Sequence, residues 1–300
     1  MGSMFYNFWM TLPALVNLNH IKIESLLSKG ENIMTQEGSI LVTGAASGIG
    51  AAVCKYLTDR GHPVYACDID DCPTSELQQY FRLDVTQPES ILATITEIQQ
   101  KQGILRGLVN CAGIMRAGPL MELNVSEIKE IFAVNLFGMF ELTQACFPLL
   151  LKTKGRIVNI SSISGKIVFP FMGPYAMSKH GVEAFSDCLR RELAPFGIHV
   201  AIIEPGKIKT PLIEIGRQIT KEKMATMSEL FKDRGKRFVA YDEERVRTNA
   251  LPPERVAEKV YHALFAPTPK TRYLIVKKPM QTHLLMRFPT KLLDKKFLKL

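Results

Sequence analysis

From Ser39 to Gly206 the chain alternates short, almost wholly apolar runs with longer segments of helical period. The runs are S-I-L-V-T (39–43), P-V-Y-A-C-D (63–68), F-R-L-D-V (81–85), G-L-V-N-C-A-G (107–113), R-I-V-N-I-S-S (156–162) and H-V-A-I-I-E-P-G (199–206). A strand with no polar alternation has to be covered on both faces, and helices between successive strands supply that cover. The pattern therefore predicts an α/β fold with a doubly wound parallel sheet of the Rossmann type. Its right-handed crossovers place ligands at the carboxyl ends of the strands. The helices are expected from Gly48 to Gly61, from Pro88 to about Lys101, beyond Val125, and from about Pro174 to Ala194.

The pattern weakens after Gly206. Residues 210–250 are charge-rich and carry no strand, which suits a mobile helical lid. L-P-P-E-R-V-A-E-K-V-Y-H-A-L reads as a helix opened by proline, and R-Y-L-I-V as a final strand. With no internal repeat, the economical division is an N-terminal extension (1–37), one domain (38–276) and a C-terminal tail (277–300). The extension carries an apolar stretch broken by Asn7, Pro13 and Asn17. It is too short for a span and has no basic flank ahead of it, so a cleaved signal is not expected.

Charge excludes some functions. The net +9 looks like a nucleic-acid footprint, but from Lys277 onward seven Lys or Arg stand against Asp294 alone, a surplus of six. No basic stripe with interleaved aromatics remains, so nucleic acid is not an expected partner. Six scattered cysteines without C-x-x-C spacing, and dispersed histidines, predict a reduced cytoplasmic compartment and no metal.

Two stretches carry chemistry. T-G-A-A-S-G-I-G (43–50) joins the first strand to a helix, where glycines let backbone approach a pyrophosphate and the helix N-terminus offers free N–H groups. About twenty residues on, Asp68 ends the second strand. A carboxylate there accepts from ribose hydroxyls and repels a 2′-phosphate, so NAD is expected over NADP. In G-P-Y-A-M-S-K-H (173–180), Tyr175 and Lys179 fall on one helix face. A phenol of pKa about 10 is a poor base at neutral pH. An ammonium about 4 Å away is worth roughly three pKa units at an effective dielectric near 20, so Lys179 is expected to make Tyr175 ionisable.

Together with N-C-A-G (110–113), V-N-L-F-G around Asn135, N-I-S-S before the tyrosine and E-P-G-K-I-K-T after it, these motifs resemble the short-chain dehydrogenase/reductase family. The resemblance runs continuously from Gly38 to Thr210 and more loosely to Val276. It implies Tyr175 as acid/base, Lys179 as its electrostatic partner and ribose ligand, Ser162 rather than Ser161 as the substrate-orienting hydroxyl, and Asn135 as part of a proton relay. For the cofactor it implies Gly44, Ser47, Gly48, Ile49, Gly50 and Asp68, with Asp84 and Val85 at the adenine. Asn110, Ala112 and Gly113 would line it, and Pro205, Gly206, Ile208 and Thr210 would hold the nicotinamide end. It also implies a homo-oligomer, dimer or tetramer.

K-I-V-F-P-F-M-G (166–173) is apolar where substrate should pass, so a hydrophobic alcohol or ketone (steroid, retinoid or lipid-like) is expected. The tail resembles, more weakly, the ends of membrane-associated steroid and retinol dehydrogenases. Its leucines and lysines leave two readings open: peripheral contact with an anionic membrane, or packing over the cleft. Pro289 predicts two short helices rather than one. The alternatives to this activity are a 3-oxoacyl-thioester reductase and a cofactor-sensing protein without catalysis.

Overall fold

The computed structural model describes residues 38–298; the N-terminal extension, 1–37, lies outside the described residues. Seven parallel strands form one sheet in the order β3-β2-β1-β4-β5-β6-β7. They are β1 (Ser39–Thr43), β2 (Val64–Asp68), β3 (Gln78–Arg82), β4 (Leu105–Asn110), β5 (Arg156–Ile160), β6 (His199–Pro205) and β7 (Arg272–Ile275). The order reverses between β1 and β4, and that switch point opens a crevice above the strand ends.

Adjacent residues of β1 serve opposite layers. Ile40 and Val42 join the core formed with α1 (Gly48–Thr58) and α8 (Glu254–Phe265), where Val53, Leu57, Val256 and Val260 are buried. Leu41 joins the core on the other face, beneath α2 (Pro88–Lys101) and α4 (Met139–Thr153), with Ile95, Leu142 and Leu149. This two-sided burial explains why inner strands such as β1 and β5 carry no polar alternation, whereas the edge strands β3 and β7 mix buried and more exposed residues. Helix α1 stops at Thr58, three residues before the expected Gly61, because Arg60 and Gly61 already turn back onto Leu57 and Thr58.

Helix α3 (Val125–Phe132) runs into α4 through a π-helical turn, Ala133–Gly138. The continuous stretch Val125–Thr153 is apolar and long enough to span a bilayer, yet half of it is buried here. Helix α5 (Gly173–Leu193) follows β5. The 210–250 region forms two helices, α6 (Pro211–Thr226) and α7 (Glu229–Asn249). The tail forms α9 (Pro279–Met286) and α10 (Thr290–Phe297), divided at Pro289 as expected.

A third apolar cluster lies away from the two sheet faces. Ile163, Ile167, Phe169, Met172 and Tyr175 meet Phe238 from α7 and Phe297 from α10. Phe171 holds a left-handed φ of 64°, costly for a bulky side chain, and its ring packs 5.5 Å from Phe238. The same segment therefore builds one wall and anchors the lid.

Candidate active site

A cleft of about 310 Å3 opens over the carboxyl ends of the strands, within the range of small-molecule and cofactor sites. At one end lies the glycine turn. Gly44 and Gly48 take φ of 66° and 55°, which side chains with a Cβ rarely adopt, and a Cβ on Gly50 would lie 1.9 Å from the Gly44 carbonyl oxygen. This close approach brings the first turn of α1 to the cleft, where Gly48, Ile49 and Gly50 form part of the wall. No side chain of the N-cap residue Ser47 covers the N–H groups of that turn. Such donors accept a pyrophosphate without further rearrangement.

Asp68 sits half-buried in the same wall. Its carboxylate accepts from Ala46 N–H at 2.9 Å and from Asp70 N–H at 3.2 Å, so it is fixed against the glycine turn. Asp70 and Asp84 flank it along the cleft. Asp84 is held by Thr86, whose N–H and hydroxyl donate to it at 2.9 and 2.7 Å. Val85, Ala112, Gly113, Pro205, Gly206, Ile208 and Thr210 also line the cleft. The residues present fit a dinucleotide.

At the other end Ser162, Tyr175 and Lys179 converge. Ser162 lies two residues beyond β5; its hydroxyl donates to the Pro205 carbonyl at 3.4 Å, accepts from Ser164 N–H at 3.1 Å, and stands close enough to the Tyr175 phenol to favour its ionised form. The Lys179 ammonium donates to the Ile160 carbonyl at 2.9 Å and lies 5.8 Å from the Tyr175 ring centre. One turn of α5 thus lifts both side chains to the end of one strand.

The electrostatics differ from the expectation. Burial pushes the Tyr175 phenol up to about 12, with the Ser162 hydrogen bond only partly opposing it, and burial brings Lys179 down to about 8. Removing two ionisable groups from water disfavours the charged form of each. The ammonium is bonded to a backbone carbonyl rather than to the phenol oxygen, so the attraction worked out for about 4 Å does not dominate. Cys111, also in the wall, is pushed up to about 12 by burial and stays a thiol.

Two expected residues lie behind the wall rather than in it. Asn110 is buried at the end of β4, where its amide donates to Thr143 (3.1 Å) and Asn159 (2.9 Å). Its side chain ties strands to α4, and the neighbouring Cys111, Ala112 and Gly113 form the lining instead. Asn135, fully buried in the π-turn, accepts from Ile114 N–H at 2.8 Å and donates to Ser178 at 3.0 Å. It backs Gly113, whose added Cβ would come 3.2 Å from its oxygen. Conversely, the cleft includes Lys207, Phe238, Asp242 and Arg245, to which no motif assigns a role. The last three come from α7, where nothing in the local spacing says which side chains face inward.

The model of the short chain dehydrogenase family matches residues 39–219. Retinol dehydrogenase 16 of Mus musculus is 35% identical over 288 residues, covering 88% of each chain. An NADPH-dependent 3-dehydrocapnine reductase of Ornithobacterium rhinotracheale is 34% identical, covering 86% of this chain and 95% of that one. The crystal structure of a short-chain dehydrogenase from Streptomyces avermitilis superposes with a TM-score of 0.70 at 26% identity, covering 83% of this chain and 93% of that one. With its parallel sheet, glycine turn and Tyr175–Lys179 pair, the chain belongs to the short-chain dehydrogenase family, as an NAD(P)-dependent oxidoreductase acting on CH–OH groups.

Proposed function

We propose that the protein interconverts a hydrophobic secondary alcohol and its ketone with NAD as the preferred cofactor, Tyr175 serving as acid/base. The observation that carries this reading is the convergence of Ser162, Tyr175 and Lys179 at the end of the cleft walled by Phe169 and Met172, opposite the glycine turn and Asp68. The glycine turn, Asp68, Asp84 and Lys179 are the residues that would hold the dinucleotide. When bound, the nicotinamide supplies the hydride acceptor or donor. Ser162 positions the substrate oxygen and stabilises charge developing on it. Tyr175 takes or returns the hydroxyl proton. A phenol pushed up to about 12 favours the protonated form, so positive charge at the nicotinamide end is what would draw its proton off.

NAD is favoured because the acceptor end of the cleft gathers Asp68, Asp70 and Asp84, and a 2′-phosphate would meet that charge. Exposed Phe137, Phe140 and Met177 on the helices beside the sheet support assembly into a homo-oligomer. In the tail, Leu285, Met286, Leu293 and Phe297 turn inward to the third cluster, while Met280, Leu284, Phe288 and Leu292 face solvent among lysines. That division supports a tail that closes the cleft with one side and meets an anionic membrane with the other.

The test joins turnover to binding. Tyr175→Phe should abolish NAD reduction across a panel of apolar secondary alcohols while leaving NADH binding, read by fluorescence titration, within about twofold. Substantial turnover by that variant, or tighter binding of NADPH than NADH by the unmodified protein, would overturn the respective assignment.

A further inference from the structure

Arg245, on α7, reaches the apolar end of the cleft and stacks over Phe169 at 4.4 Å, with Tyr241 at 5.5 Å. Phe169 belongs to the same buried cluster as Tyr175. The neighbouring charges are matched within the protein. Asp242 is spent on Lys207 at 2.7 Å, and Arg217 is shared between Glu214 (3.0 Å) and Glu243 (3.1 Å). Among the described residues, no carboxylate comes within ion-pair distance of Arg245.

A guanidinium stacked on an aromatic face is held in a fixed plane, and its N–H fork remains free to receive two oxygens. In a half-dry cleft a cation without a carboxylate is costly to hold, unless a ligand supplies the counter-charge. Lys207 nearby is already neutralised by Asp242, so the charge at this end that no carboxylate matches is the Arg245 guanidinium, which a carboxylate satisfies better than a cation or a neutral polar group.

Building on the reading of this end of the cleft as the substrate site, we infer that the substrate is an apolar hydroxy or oxo compound ending in an oxyanion, carboxylate or sulfonate, received by Arg245. The carbinol stands at Ser162 and Tyr175, the apolar skeleton runs along Phe169 and Met172, and the anion meets the guanidinium. In the oxidative direction the carbinol C–H electron pair leaves as hydride to the oxidised cofactor the family uses. The hydroxyl proton passes to Tyr175 in its phenolate form, the phenol's own proton having first gone to solvent, and a carbonyl remains. The anionic end takes no part in the chemistry and sets which alcohols are accepted.

The probes are positional isomers of hydroxystearate, their methyl esters and the corresponding hydroxyalkane sulfonates, with the full-length protein. A charge-assisted bidentate contact is worth roughly ten- to hundredfold in kcat/KM, so the best acid should exceed its ester by that factor. Sulfonates matching the acid would point to any oxyanion, and acids alone to a carboxylate-shaped site. In Arg245→Leu the acid-to-ester ratio should fall to about one, and Arg245→Lys should restore part of it, mainly through KM. Binding gives a readout independent of turnover: displacement of a fluorescent fatty acid should require about tenfold less stearate than stearyl alcohol, and this difference should vanish in Arg245→Leu. Equal handling of acid and ester together with equal displacement, or an Arg245→Leu variant that keeps the preference, overturns the inference. Turnover of the esters by Tyr175→Phe would instead overturn the site reading, whatever the head-group result.

Discussion

Holding Lys179 in the cleft should cost stability at neutral pH, and the cost should disappear on mild alkalinisation. The residue is 5% exposed, and its ammonium meets the Ile160 carbonyl and is brought by burial from the ordinary 10.5 to about 8. Below about pH 8 the folded and unfolded chains both carry the proton, and the folded state bears the full penalty. Between about 8 and 10.5 the folded state releases the proton first, so the unfolded chain binds more protons and stability rises with pH. Integrating over that window gives roughly 2 to 3 kcal/mol gained at Lys179 between pH 7 and pH 10. Other groups titrate in the same range, so the quantity to measure is a difference. Urea unfolding of the wild type and of Lys179→Met at a series of pH values removes the common terms. The advantage of Lys179→Met should shrink by roughly 2 to 3 kcal/mol across the range, whatever its size at pH 7. A flat difference would mean that the ammonium is not desolvated. A difference growing with pH would mean that a partner stabilises the charge, and the account of the site's electrostatics would be wrong.

Gly50→Ala must displace the Gly44 carbonyl, which its Cβ would approach to 1.9 Å; the expected outcome is a loss of about 3 kcal/mol or more in urea unfolding, with NADH binding lost in parallel. Arg272 joins buried Glu183 and Glu204, bonding the latter at 2.7 Å, while Lys166 reaches Glu183 at 2.9 Å. Arg272→Met should cost about 3 kcal/mol at neutral pH by stranding buried carboxylate charge. Glu204, already raised by burial, should then recover part of that loss on acidification, and Glu204→Gln should recover it without acid. Deleting the tail after Met280 removes Phe297 from its place 5.2 Å from Phe169; KM for apolar alcohols should rise roughly tenfold, each buried side chain removed being worth about 2 kcal/mol. Co-sedimentation with phosphatidylserine vesicles should weaken in the same variant, and unchanged KM would exclude the tail from the substrate wall.

The sheet was legible because its determinants are local in the chain. Two-sided burial writes itself into S-I-L-V-T and R-I-V-N-I as unbroken apolar runs, and a four-residue spacing on a helix brings Tyr175 and Lys179 to one face without reference to anything else. The glycine turn is equally local, since Gly44, Gly48 and Gly50 answer to their own φ angles and to each other. Pro289 divides the tail for a similar reason. What depends on neighbours distant in sequence was decided only by the folded chain. Asn110 turns its amide to Thr143 and Asn159 because those residues arrive from α4 and β5. Arg245 enters the cleft because α7 packs on a wall that begins at Phe169, and Phe297 closes that wall from the far end of the chain. The proton affinities of Tyr175 and Lys179 moved opposite to the local expectation for the phenol, since spacing alone says how near two groups can lie. How much water is left around them is fixed by the elements that pack over them.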